Sequence, residues 1–211
     1  MIDTSLRPLA AADAPWAARQ HARLMEHSVF ALFGAGFLET IYRAFARSRH
    51  AVALVYAPDG EPRGVIACTS DRKMFLRELR RFSGPRLAIQ AAWAFVTRGA
   101  CRRLLLQAPR YLSRTHRSAT DAEMIFITLA PECRGGGAAR SLILGVLEEY
   151  RRRGVSRVTV SIESGNRVVK RLLLDLGFSV IDTFTFADKP NDLLALDLEP
   201  VPAPAGQGGA G

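Results

Sequence analysis

The sequence contains few cysteines and no long apolar run. Its three cysteines, Cys68, Cys101 and Cys133, form an odd set without metal-ligand spacing, which favours a reduced protein with neither disulfides nor bound metal. No run of about 18 apolar residues occurs, so no transmembrane helix is expected. Residues 1–4 lack the basic and apolar regions of a signal peptide. We therefore expect a cytoplasmic protein with no metal and no membrane partner.

Lysine is also scarce, and arginine supplies nearly all of the positive charge. The net charge is +9, and only three of the 29 basic residues are lysines. One interpretation is a polyanionic partner such as CoA, a carrier protein or nucleic acid. The other is a GC-rich genome, which would enrich the protein in arginine, alanine and glycine without any functional meaning. Charge alone does not decide between them.

The length fits a single domain. A chain of 211 residues buries about 70% of its unfolded surface on folding. We expect one domain over residues 1–199. Residues 200–211 are rich in proline, glycine and alanine, which predicts a disordered tail.

The first half reads as a strand, two helices and a hairpin, followed by a helical segment rich in arginine. The predicted elements are a strand at 6–9, helices at 14–26 and 36–48, and hairpin strands at 51–57 and 64–69. Residues 71–120 are predicted to be a helical insertion or cover, with helices at 73–82 and 85–97. Seven basic residues lie between Arg98 and Ser118. This stretch is interpreted either as a mobile cover over a site or as an exposed basic face.

The second half alternates strands and helices around a glycine turn. Its predicted elements are strands at 122–130, 155–162, 178–186 and 193–198, with helices at 140–153 and 166–176. The turn Arg134–Ala139 joins a strand to a helix and directs backbone N–H groups at one point, which favours an anion site. No Gly-Lys-Ser/Thr follows it, so it is not a P-loop, and it lacks the Gly-x-Gly-x-x-Gly spacing of dinucleotide sites.

The turn and its surroundings resemble the GNAT acyltransferase superfamily. Arg134, Gly137 and Ala139 match the family signature Arg/Gln-x-x-Gly-x-Gly/Ala, and Asn166 and Leu176-Gly177-Phe178 follow at the customary distances. The resemblance covers residues from about 5 to 198 and implies an α/β fold. That fold has a mixed sheet of about six or seven strands, splayed at the acyl-CoA site, with helices on both faces.

The resemblance also implies an acetyl-CoA site. Pantetheine would pair with the edge of the strand from Ile127 to Leu129. The pyrophosphate would bind Arg134, Gly135, Gly136, Gly137, Ala138 and Ala139. Asn166 would hydrogen-bond the pantetheine arm, or serve as a plain helix N-cap, or do both.

The resemblance implies some of the family's catalytic groups, and others are missing from this sequence. The backbone N–H of Leu129 would be the oxyanion donor. Glu123, six residues earlier and so expected on the same strand face, is a candidate general base or else an ion-paired carboxylate. Leu173 lies where many members have a proton-donating tyrosine, and Ser161 where others have a glutamate.

These features predict acetyl transfer from acetyl-CoA to an amine by direct attack on the thioester. The alternatives are a non-catalytic acyl-CoA-binding module of the same fold and, more weakly, a nucleic-acid-binding protein. The acceptor would be a small molecule or a peptide, and the arginines after Arg98 would suit an acidic one. Nothing in the sequence indicates the oligomeric state.

Overall fold

The computed structural model describes residues 5–26, 28, 30–97, 99, 122–186 and 189–199. Within them the chain forms seven strands: β1 (Leu6–Pro8), β2 (Ala51–Tyr56), β3 (Gly64–Thr69), β4 (Glu123–Leu129), β5 (Arg157–Glu163), β6 (Ser179–Phe186) and β7 (Lys189–Asp197). It also forms five α-helices: α1 (Ala14–Leu24), α2 (Ala35–Arg47), α3 (Arg72–Thr97), α4 (Ala138–Arg152) and α5 (Arg167–Asp175). Short 3-10 turns lie at Ala11–Asp13, Ala31–Phe33 and Pro131–Cys133.

All seven strands join one mixed sheet in the order β1-β2-β3-β4-β5-β7-β6. The β4–β5 pair is parallel, and every other neighbouring pair is antiparallel. Helices α4 and α5 cover one face of the sheet, and α1, α2 and α3 cover the other. The predicted α/β architecture, with a mixed central sheet and helices on both faces, is confirmed.

Each sheet face has its own apolar core. On the α4–α5 face, Leu142, Val146 and Tyr150 of α4 pack against strand residues such as Val158 and Leu194. On the opposite face, the core is formed by the apolar stripes of α1 and α2, the first part of α3, and Phe126 of β4. The apolar residues of α2 and α4 recur at helical spacing and face the sheet, as expected of amphipathic helices that pack on a sheet.

A bulge in β4 overturns the expectation that Glu123 and Leu129 share a strand face. Ile125 has no partner in the β3–β4 register, which shifts between Ala67 and Cys68. As a result Ile125 and Phe126 both pack on the α1–α3 face, although they are neighbours in the chain. A bulge inserts one residue and reverses the alternation of side chains beyond it.

The two ends of β4 therefore face opposite cores. Glu123 pairs with Arg72 at the start of α3. Leu129 lies on the α4 face, because a Cβ added at Gly64 would meet Leu129 at 2.6 Å and Leu142 at 3.4 Å.

Two further expectations are corrected. The predicted helices 73–82 and 85–97 are one helix, α3, which contains Pro85. Leu79 and Leu87 pack into the same core on either side of the proline, and this packing offsets the lost backbone bond. Strand β7 begins at Lys189 rather than at Leu193, because its polar first residues pair with β6. The basic segment from residue 100 to 118 and the predicted tail lie outside the described residues.

Candidate active site

The sheet opens between β4 and β5. These two parallel strands pair only at Glu123–Thr159 and Met124–Val160. Beyond those pairs, β4 continues along β3 as far as Leu129, and β5 continues along β7 as far as Glu163. The carboxyl ends of two neighbouring strands are therefore separated by a gap in the middle of the sheet.

The edge of β4 that borders this gap offers backbone groups. Ala130 N–H donates to Arg63 O at 2.8 Å, on the β3 side. Because successive residues of a strand direct their N–H and C=O groups to opposite sides, those of Leu129 and Ile127 point into the gap. An extended chain with amide groups could pair with this edge as an added strand would.

The glycine turn lies at the end of the gap where α4 begins. Gly135 and Gly137 both have φ 82°, a left-handed conformation that costs other residues about 1–2 kcal/mol. Within the described residues, the N–H groups of Gly135, Gly136 and Gly137 donate to no protein acceptor. The first N–H groups of a helix also lack intrahelical partners, so the turn can bind an anion.

The remaining predicted turn residues surround these glycines. Arg134 is exposed, and its N–H donates to Pro131 O. Ala138 is buried as the first residue of α4, and Ala139 is half-buried. The arginine side chain is thus an exposed cationic group beside a site built mostly from backbone N–H groups.

Asn166 is the N-cap of α5, on the β5 side of the gap. Its Oδ1 accepts a hydrogen bond from Val169 N–H at 3.3 Å. The side chain is exposed, and within the described residues its Nδ2 group donates to no protein acceptor. The capping role is therefore observed, and the amide donor remains available to a ligand.

Asp192 fixes the turn before Asn166, and the sequence analysis did not single it out. Its buried carboxylate accepts hydrogen bonds from Lys170 at 2.7 Å, Ser164 at 2.8 Å and Thr183 at 3.2 Å. The bond from Lys170 is the main reason that the pKa of Asp192 lies below its ordinary value. Asp192 is the last of the polar residues before the apolar run 193–196, so the sequence pattern gave no signal that its side chain is buried.

Two buried hydroxyls border the opening on the α1–α3 face. Thr128 Oγ1 and Ser161 Oγ are buried and have no hydrogen-bond partner in the described part of the chain. Thr128 is on β4 and Ser161 is on β5. Their neighbours Ile127 and Ile162 pack on the α4–α5 face, so the two hydroxyls lie on the α1–α3 face. Buried polar groups without a partner are rare in folded proteins, so a ligand at this opening would satisfy them.

Glu123 lies at the closed end of the opening. One carboxylate oxygen is 3.3 Å from Arg72 Nη1, and both side chains are about nine-tenths buried. Burial raises the pKa of Glu123, and the nearby Arg72 charge partly opposes this. Six residues of strand span about 20 Å, so Glu123 is not in direct contact with the Leu129 end.

Leu173 is a core residue. It is 1% exposed and packs among the apolar side chains between α5 and the sheet. No hydroxyl is present at this position.

Cys133, in the 3-10 turn before Arg134, is half-buried with a free thiol. The described residues include no group of three or more His, Cys, Asp or Glu side chains arranged to hold a metal ion.

Solved structures share this fold. SsHAT superimposes with a TM-score of 0.64 at 20% identity, over 91% of this chain and 96% of that chain. The Salmonella typhimurium protein YncA, solved with acetyl-CoA as its cofactor, gives a TM-score of 0.57 at 18% identity, over 95% and 97%. The ribosomal-protein-S18-alanine N-acetyltransferase of Escherichia coli gives 0.57 at 13%, over 97% of each chain. At these identities the likeness establishes the fold alone.

The family assignment comes from the sequence model for the acetyltransferase (GNAT) family, which matches residues 21–178. No curated protein sequence matches this chain significantly. The matched range includes the opening between β4 and β5, the glycine turn and Asn166. This chain belongs to the GNAT acetyltransferase family.

Proposed function

We propose that this protein transfers an acetyl group from acetyl-CoA to an amine acceptor. The observation that carries the proposal is the gap between β4 and β5, which ends at the glycine turn before α4. It combines an unpaired strand edge with an anion site. Acetyl-CoA has amides in its pantetheine arm and a pyrophosphate at the other end, so its chemistry matches both.

The residues that bind acetyl-CoA in this proposal are mostly backbone donors. The N–H groups from Gly135 to Ala139 bind the pyrophosphate, and Arg134 adds a neutralising charge. The free edge at Ile127 and Leu129 pairs with the pantetheine amides. The Nδ2 group of Asn166 donates to the same arm from the other side of the gap. Asp192 and Lys170 keep that turn in place.

Direct attack of the amine on the thioester requires few groups on the protein. The N–H of Leu129 points into the gap and donates to the carbonyl oxygen as negative charge develops there. The acceptor approaches from the α1–α3 face, where the hydroxyls of Thr128 and Ser161 have no hydrogen-bond partner among the described residues. The departing thiolate needs no tyrosine, because a thiol with a pKa near 8.5 is a fair leaving group.

Glu123 is the proposed general base, and because about 20 Å of strand separates it from Leu129, the proton would reach it through a chain of several waters. Among the described residues it is the buried carboxylate on the α1–α3 face, and its raised pKa favours proton uptake. The distance to Leu129 excludes direct proton transfer. The alternative is that Glu123 only neutralises Arg72, and a substitution considered below separates these roles.

The rival function is an acyl-CoA-binding module without catalysis. Leu173 favours it, because a buried leucine occupies the position of the usual proton donor.

A cytoplasmic location is part of our proposal and is supported by the free thiols of Cys68 and Cys133.

Turnover with a panel of amines separates the enzyme from the rival. The panel contains polyamines, amino sugars, amino acids and peptides with free N-termini, and thiol release from acetyl-CoA is measured with and without each amine. The proposal expects amine-dependent thiol release together with a mass increase on one acceptor. Tight acetyl-CoA binding without turnover on any amine would favour the binding module.

A further inference from the structure

Helix α3 carries an apolar stripe that the described residues leave uncovered. Phe82, Ile89, Trp93 and Val96 are 75%, 72%, 72% and 70% exposed. At 100° per residue, their spacings of seven, four and three place them within a sector of about 60°. Single exposed apolar residues are ordinary, but four large ones in line along one helix face are a feature that needs a partner.

The first part of α3 is anchored in the core, and the later part exposes the stripe. Phe75, seven residues before Phe82 and therefore on the same side of the helix, is 3% exposed and stacks on Phe45 of α2. Leu76, Leu79 and Leu87 also pack into the core with the α1–α2 layer. The side of the helix that is buried at Phe75 is therefore exposed from Phe82 onwards.

The stripe lies in the most basic part of the chain. Helix α3 contains one acid, Glu78, and its carboxylate bonds the Ser48 hydroxyl and lies 3.7 Å from His50. Its basic residues are Arg72, Lys73, Arg77, Arg80, Arg81 and Arg86. From residue 72 to 120 the sequence has twelve basic residues and one acid, a net +11, whereas the whole chain has +9. The excess charge is thus concentrated here and is not a uniform compositional bias.

We propose that the exposed face of α3 binds the surface of an anionic lipid bilayer. A helix with tryptophan, phenylalanine and isoleucine on one side and arginine around it has the composition of an interfacial membrane helix. Trp93 suits the headgroup boundary, and the arginines attract anionic lipids. Arg81 lies 5.5 Å from the Phe82 ring centre, so cationic and apolar groups adjoin along the helix.

Charge complementarity favours lipid over a second copy of this chain. Two α3 helices packed along their stripes would bring their arginines together, with Glu78 already engaged. No helix in the described ranges is long and apolar enough to cross a membrane. The expectation of no membrane partner arose from the lack of a spanning segment, and an interfacial helix needs no such segment.

The test is binding of the full chain to vesicles. Flotation is measured with phosphatidylcholine vesicles, with and without about 30 mol% phosphatidylglycerol, at about 0.15 M salt. The variants are the double substitution Ile89→Ser with Trp93→Ser, and the control Ile181→Ser, which changes a 42% exposed isoleucine of β6. Light scattering gives the oligomeric state of each, and circular dichroism checks that each is folded.

We expect the wild type and the Ile181 variant to bind the anionic vesicles and not the neutral ones. The double variant should bind roughly tenfold more weakly or worse, since two buried apolar side chains are lost. Quenching of Trp93 by brominated acyl chains should accompany binding. Three results would overturn the proposal: no binding to anionic vesicles, equal binding by the double variant, or a wild-type dimer that the double substitution converts to a monomer.

Discussion

Glu123 is the residue whose position most changes the account of the site. Counting six residues along a regular strand places its side chain beside that of Leu129, but the bulge at Ile125 turns it to the other sheet face. There it pairs with Arg72 on the α1–α3 face, which is the face from which the proposed acceptor approaches. A buried ion pair and a general base are both consistent with that environment.

Glu123→Gln separates these two roles. The substitution keeps the shape and removes the buried negative charge beside Arg72, so the free energy of unfolding should fall by about 3 kcal/mol in urea titrations. If Glu123 is also the base, the acidic limb of the pH profile of kcat/KM for the reactive amine should disappear.

The matched control is Glu39→Gln, which removes a half-buried pair with Arg43 on α2, a pair more open to solvent than Glu123 and Arg72. It should cost less than about 1 kcal/mol. Lower stability with an unchanged pH profile would leave Glu123 a purely structural role.

His21 illustrates a polar group that the sequence pattern does not reveal. It is fully buried in α1, where Nδ1 lies 3.0 Å from the Tyr42 hydroxyl and Nε2 lies 2.8 Å from Ser28 Oγ. The ring also lies edge-on to Phe126. Burial lowers the pKa of His21 from 6.5 to about 4, so the folded protein contains the neutral ring at pH 7.

This shift predicts a loss of stability in mild acid. Between pH 6.5 and 4 the unfolded chain binds a proton at His21 that the folded chain does not, so the free energy of unfolding falls as the pH falls. The contribution is about 3 kcal/mol over that range. Asp13 and Asp192 have lowered pKa values, so their contributions are lost only at lower pH.

Urea unfolding at pH 7.5, 6, 5 and 4 measures the effect. His21→Gln should be less stable than the wild type at pH 7.5. Its free energy of unfolding should fall less than that of the wild type between pH 6.5 and 4. Parallel declines for the two proteins would mean that His21 does not titrate as described.

At the scale of elements, α3 is the least expected feature. Ser83-Gly84-Pro85 has the composition of a break between two helices. Contacts of α3 with the α1–α2 layer on both sides of Pro85 keep it continuous. Sequence propensity is local, whereas this packing joins residues distant in the chain.

Pro85→Ala tests whether α3 is continuous. Pro85 is exposed and lies inside the helix, where proline removes a backbone hydrogen bond and is less favourable than alanine. The free energy of unfolding should therefore rise by about 1–3 kcal/mol, read from thermal or urea unfolding.

Gly60→Ala is the contrasting control. An added Cβ meets nothing within 4 Å there, but the φ of Gly60 is +82°, so alanine should destabilise the protein by about 1 kcal/mol. A destabilising Pro85→Ala would indicate that the chain leaves the helical conformation at that point.

At the scale of the whole molecule, the sequence predicted the parts that depend on local periodicity and spacing. The alternation in 155–162, the glycines of the turn and Asn166 at the start of α5 each specify an element by near neighbours. The bulge at Ile125, the Asp192 network and the uncovered stripe of α3 depend on which elements pack together. Those contacts span many residues of sequence, and periodicity does not encode them.

The central claim is that the glycine turn binds the pyrophosphate of acetyl-CoA, and isothermal titration of Gly136 variants tests it most directly. Gly136 has no positive φ, and an added Cβ would meet only Cys133 O, at 3.9 Å, so the fold tolerates a side chain there. Gly136→Asp places negative charge at the proposed anion site, and Gly136→Asn is the neutral control of the same shape. The account predicts that the aspartate lowers acetyl-CoA affinity about tenfold or more relative to the asparagine. Equal affinity of the two variants would contradict it.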